Sequence, residues 1–157
     1  RYEVIDGELL VTSCPDPRHQ VRAFDLAKVL DAACPPDLLV FASPIGVTIG
    51  TRRYLEPDVT VKPKVGYRDD AVIPLLVVEI LSPSTWRTDV RRKRRVYAET
   101  GVPSYWIVDP LAPAVTVLEL GGAEYAERGV VGPGEELIVA RPFVVRLAPG
   151  EWTADLD

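Results

Sequence analysis

Cysteine is scarce in this chain. Cys14 and Cys34 flank a segment of helical pattern and lack the CxxC spacing of a zinc site, so neither a metal-thiolate knuckle nor a disulfide framework is expected. Two isolated thiols fit a reducing compartment, and a cytoplasmic location is the expectation. No apolar run approaches the ~18 residues that a membrane helix requires, so no membrane association is expected. Arg1 opens a strand-like segment instead of the basic-then-apolar pattern of a signal peptide. Repeats and low-complexity stretches are missing, and the 15 prolines are scattered as punctuation, which leaves one domain over 1–157. Positive charge is in deficit, with a formal net charge of −5. That balance argues against a general nucleic-acid coat, whose affinity accumulates from many phosphate contacts. No zinc-finger spacing, helix-turn-helix signature or aromatic nucleic-acid motif offers a sequence-reading module.

What is present is patterned. Apolar residues make up 47% of the chain, which is ordinary for a globular domain. Tyr2 to Val11 reads as a hairpin turning at Asp6-Gly7. Helical spacing follows from about Arg18 to Ala33, with Val21, Phe24, Leu26, Ala27, Val29 and Leu30 as its apolar positions and Pro35-Pro36 as its stop. Leu38 to Ala42, Ile45 to Thr51 and Asp58 to Val61 are short strand-like segments parted by Ser43-Pro44 and Glu56-Pro57. Ile73 to Leu81 is the most apolar stretch and reads as a strand buried on both faces at the centre of a sheet. Ser82-Pro83-Ser84 breaks it. A helix follows from Thr88 or Asp89, either able to cap it, and ends at Gly101 with Pro103 beyond. Tyr105 to Val108 is another buried strand. Val115 to Leu120, Tyr125 to Val130 and Phe143 to Leu147 suggest a C-terminal β-meander. The expected fold is a mixed sheet flanked by helices, α/β or α+β.

Within that frame, Glu79 is anomalous: a carboxylate enclosed by Leu75 to Val78 and by Ile80 and Leu81. Burying its charge costs several kcal/mol unless a cation or firm hydrogen bonds offset it. A strand-end glutamate that caps a helix or pairs with an arginine is the plainer alternative. Asp58 follows Pro57 at a strand start, where an ordinary turn aspartate is also common. Together the two acids supply hard oxygen ligands of the kind Mg²⁺ takes. On a helical wheel, Val90, Val96 and Tyr97 define the inward face of the second helix, and Lys93 lies in its middle, with Asp89 one turn earlier. An inward ammonium needs an anion, although a snorkelling lysine packed on Tyr97 would satisfy the pattern too. Two carboxylates for a metal and a lysine to orient water are the parts of metal-assisted phosphodiester hydrolysis.

Glu56-Pro57-Asp58-Val59, Val78-Glu79-Ile80-Leu81-Ser82-Pro83-Ser84, Asp89, Lys93, Tyr97 and the run from Gly101 to Pro110 resemble the bacterial putative restriction endonuclease family, within the PD-(D/E)XK nuclease superfamily. The similarity extends back through Ile5 to Leu9 and His19-Gln20. It implies a restriction-endonuclease-like core, nuclease activity on nucleic acid, DNA in particular, and Mg²⁺ or Mn²⁺ as cofactor. By position, Asp58 matches the motif aspartate and Glu79 the second acid. Leu81 stands where the superfamily usually has lysine, and that role passes to Lys93. His19 falls where an accessory residue often approaches the metal, as general base or outer ligand, and a helix cap is the plain alternative. Glu56 and Glu8 are weaker acidic candidates. Arg87, Arg91, Arg92, Arg94 and Arg95 surround Lys93 in sequence, and Arg91 and Arg94 are expected to grip phosphate unless the run is simply a solvated face. A homodimer is expected from symmetry, since enzymes that cut both strands are often two-fold. The alternative is a lapsed nuclease fold used for binding or assembly.

Overall fold

The computed structural model describes residues 1–42, 45–82, 86, 89–112 and 114–152, without the side chain of Asp89. The expected break at Pro83-Ser84, the separator Ser43-Pro44, the cap at Thr88, Arg87 of the basic run and the face taken by Asp89 lie outside the described residues. Among those described, twelve strands and two α-helices run in the order β1 (Tyr2–Ile5), β2 (Glu8–Val11), α1 (Pro17–Ala33), β3 (Leu38–Phe41), β4 (Val47–Ile49), β5 (Arg53–Leu55), β6 (Val59–Pro63), β7 (Leu76–Ile80), α2 (Arg94–Thr100), β8 (Ser104–Asp109), β9 (Ala114–Gly121), β10 (Glu124–Val131), β11 (Leu137–Val139) and β12 (Val145–Leu147). A π-helical turn, Asp89–Lys93, leads directly into α2.

The main sheet has six strands in the order β10-β9-β8-β7-β6-β3. Only β7 and β8 run parallel, joined across the sheet face by the π-turn and α2. β7 is buried along its whole length, as its continuous apolar sequence requires. Its side chains alternate between two cores. Leu76, Val78 and Ile80 join Leu26, Leu30, Val59, Val61 and Trp106 beneath α1. Val77 faces the opposite way, with Val96, Tyr97, Val102, Tyr105 and Ile5. Glu79, two residues on from Val77, shares that second face.

The hairpin β1-β2 turns at Asp6 (φ 55°) and Gly7 (φ 88°), the doubly left-handed geometry that Asp-Gly tolerates. It does not extend the main sheet. It pairs through β1 with β5, giving a second antiparallel sheet β2-β1-β5-β4 that covers α2. At the other end β9 and β10 prolong the main sheet, while β11 and β12 form a ribbon of their own against α1. Phe24, expected inward, is 59% exposed and lies under the Lys28 ammonium, while Ala23 takes the buried position beside it. No described helix is long and apolar enough to cross a membrane.

Candidate active site

Strand register brings the two anomalous acids together. Val59 pairs with Val78 in antiparallel β6-β7, so one residue further along Asp58 stands opposite Glu79, on the same face. The Asp58 N–H still donates to the Val78 carbonyl at 3.0 Å. The Ile80 N–H then donates to Asp58 Oδ2 at 2.8 Å in place of a backbone carbonyl, which fixes the carboxylate. Both acids are buried, Asp58 to 4% and Glu79 to 1% exposure.

Buried charges require partners, and the neighbouring elements provide them. The π-turn and α2 deliver Lys93, whose Nζ lies 2.9 Å from Glu79 Oε2 and 2.9 Å from Glu3 Oε1. One turn along, Tyr97 donates its hydroxyl to Glu79 Oε1 at 2.7 Å. Burial, then the charge of Glu79, push the Tyr97 phenol well above its usual value, so it remains a donor. From α1, capped by the Asp16 carboxylate on the His19 N–H, His19 Nε2 comes within 3.2 Å of Asp58 Oδ2. His19 Nδ1 is buried with no hydrogen-bond partner among the described residues.

Two participants were not foreseen. Glu3 alternates with buried Ile5 on β1 and so points into the molecule, where it also accepts the Glu56 N–H at 2.9 Å. Arg1 lies among four carboxylates. Its Nη1 donates to Asp58 Oδ1 at 2.6 Å, Nη2 is 3.8 Å from Glu3 and 4.0 Å from Glu79, and Nε is 3.8 Å from Glu56. Its Nε and Nη2 are buried without a hydrogen bond among the described residues. Burial works against charge on this guanidinium, but the surrounding carboxylates prevail and raise its pKa. Burial likewise opposes ionisation of Asp58, and His19, Arg1 and the Ile80 N–H outweigh it, holding the carboxyl below its ordinary value. The only sequence hint of Glu3 was its two-residue spacing from Ile5. For Arg1 there was none.

These groups line a cleft of about 180 Å³, edged by Thr12 to Asp16 and Ser82. Arg91 and Arg94 fall outside it, in a second cleft with Glu99, Glu124 and Tyr125. Arg94 donates to the Tyr125 carbonyl, Arg92 pairs with Glu8, and Arg95 shares Asp6 with Arg53. Much of the arginine run therefore ties α2 to the neighbouring strands. Glu8 is engaged at the surface, whereas Glu56 borders the carboxylate cluster.

The donor set can be tested against a divalent ion. Asp58 and Glu79 are paired hard-oxygen donors, and a delocalised cation, the Arg1 guanidinium, already lies beside both. Among the described residues no three His, Cys, Asp or Glu side chains converge as a ready cage. Two carboxylates completed by water suit a small hard cation, so the residues fit.

A family model described as putative restriction endonuclease, Uma2, matches residues 1–149. The chain belongs to this family. The crystal structure of a putative nuclease belonging to DUF820 from Anabaena variabilis ATCC 29413 superposes with a TM-score of 0.70 at 20% identity, over 90% of this chain and 81% of that one. At that identity the likeness establishes the fold, a mixed sheet with few helices. No match was found among curated proteins.

Proposed function

We propose that this chain is a Mg²⁺- or Mn²⁺-dependent endonuclease-like hydrolase of DNA phosphodiester bonds, acting in the cytoplasm. One observation carries the reading: Asp58 and Glu79, both buried, share one cleft with Lys93, although 14 and 21 residues separate neighbours in sequence. Asp58 and Glu79 would hold the ion. When bound, a divalent ion lowers the pKa of water and offsets charge on the phosphate. The chain's own groups do the rest. Glu3 and Glu79 fix the Lys93 ammonium beside the carboxylate pair, where it can orient a water or steady developing negative charge. Tyr97 locks the Glu79 rotamer from the other oxygen. His19, with Nε2 committed to Asp58, keeps Nδ1 as the ring atom able to accept a proton. Leu81 occupies the usual motif-lysine position, and Lys93 reaches the same acid from the helix. Arg91, exposed on the π-turn, would meet the strand outside the cleft, and Arg94 could join it only by leaving the Tyr125 carbonyl.

Glu79→Gln and Lys93→Gln should each abolish Mn²⁺-dependent nicking of supercoiled DNA while circular dichroism stays native. Nicking at the wild-type rate in both variants would dispose of the reading. A homodimer, expected on symmetry grounds for double-strand cutting, is tested by sedimentation with and without DNA. The second reading, a lapsed nuclease used as a binding module, draws on Arg1 engaging Asp58. It requires that calorimetry detect no Mn²⁺ binding that is lost in Asp58→Asn.

A further inference from the structure

An apolar recess of about 330 Å³ adjoins the carboxylate cleft. Its walls are Leu81, Trp86, Pro110 and Leu111, and Asp16 and Ser82 line both spaces. Trp86 is 48% exposed and Leu111 71%, while the other two tryptophans, Trp106 and Trp152, are buried to 0% and 6%. An exposed indole beside an aliphatic wall is apolar surface left open at the edge of a strongly polar site, a combination that marks binding more often than packing.

We propose that this recess takes one unstacked base of the nucleic-acid strand whose phosphate lies in the carboxylate cleft, which makes single-stranded or locally unpaired DNA the substrate class. The inference rests on the hydrolase reading. Three observations select a base as occupant. First, the recess shares Asp16 and Ser82 with the cleft, so one nucleotide can place its phosphate in the cleft and its base in the recess. Second, a flat π-face on an indole is a stacking partner that every base supplies. Third, the polar rim suits a nucleotide. Arg18 lies on the same first turn of α1 that sends His19 to Asp58, and it lines the recess. The rim acids are already engaged by backbone donors: Asp16 by the His19 N–H at 2.9 Å, Asp109 by the Leu111 N–H at 2.9 Å and the Ala112 N–H at 3.3 Å. They retain lone pairs that can accept an N–H of a base edge. A base stacked inside a duplex cannot reach such a recess without being extruded.

The test uses the full chain in Ca²⁺ with an oligothymidylate and a duplex of equal length, affinity being read by calorimetry and stacking by intrinsic tryptophan emission. The single strand should quench the emission and bind more tightly than the duplex. Trp86→Ala should weaken single-strand binding about five- to 150-fold and leave the remaining emission unresponsive, whereas Trp86→Phe should keep most of the affinity. Single-strand binding by Trp86→Ala at wild-type affinity would overturn the recess assignment and leave the hydrolase reading standing. No binding of either oligonucleotide by the wild type would overturn both.

Discussion

Arg1 illustrates how much one side chain decides at the cleft. Four carboxylates, Glu3, Glu56, Asp58 and Glu79, lie within 4.0 Å of its guanidinium nitrogens, and Lys93 is the second cation bonded to the cluster. A divalent ion placed among these acids competes with the guanidinium. At ~4 Å and an effective dielectric constant near 20, two unit charges interact by about 4 kcal/mol. Even after generous screening, Arg1→Gln should tighten Mn²⁺ binding at least about tenfold by calorimetry. Weaker binding would show instead that Arg1 holds the acids in place. Asp58 gives a pH signature of known sign. Its folded pKa lies below the ordinary 3.8, so its contribution to stability is complete above that value and is lost as pH falls through the lowered one. Denaturation of Asp58→Asn should therefore show a shallower loss of stability below about pH 4 than the wild type. An identical acid limb in the two proteins would contradict this.

At the scale of elements, the site exists because β7 and the helix after it present complementary faces. Both were legible: the apolar run around Glu79 announced a central strand, and the wheel placed Lys93 with Val96 and Tyr97. The N-terminal sheet was not legible as cover for the site. Glu3 meets Lys93 only because β1 pairs with β5, and β5 is a three-residue strand, Arg53–Leu55, with no alternation long enough to betray it. Long-range pairing of that kind leaves no local pattern. Phe24 failed for a related reason: hydrophobicity alone does not fix facing when Ala23 next to it can be buried instead. Helix α2 ends as its sequence requires, with Gly101 at φ 83° accepting the left-handed turn and its N–H bonded to the Ala98 carbonyl. Gly101→Ala should cost about 1–2 kcal/mol in urea denaturation and, because α2 carries Tyr97 and continues the π-turn that ends at Lys93, should weaken Mn²⁺ binding as well. Unchanged stability would mean that the turn is not under the constraint described.

For the whole molecule, charge sets the mode of nucleic-acid binding. With a net charge of −5 and Arg92, Arg94 and Arg95 bonded to nearby groups, little of the described part of the basic run is left for phosphates. Affinity should come from the ion, a stacked base and two or three phosphate contacts, so for a single strand the slope of log K against log salt should be about −1.5 to −2. A slope steeper than about −5 in fluorescence titrations would contradict this, since it requires many more phosphate contacts.

Strand pairing sets Asp58 and Glu79 side by side, and in the proposed reading a positive ion belongs between them. Its most direct measurement is anomalous scattering from a crystal soaked in Mn²⁺. A single strong peak is expected at the Asp58 and Glu79 carboxylates, with the Arg1 guanidinium withdrawn from Asp58 and Lys93 still on Glu79. No peak there at saturating Mn²⁺, with Arg1 still bonded to Asp58, would contradict it.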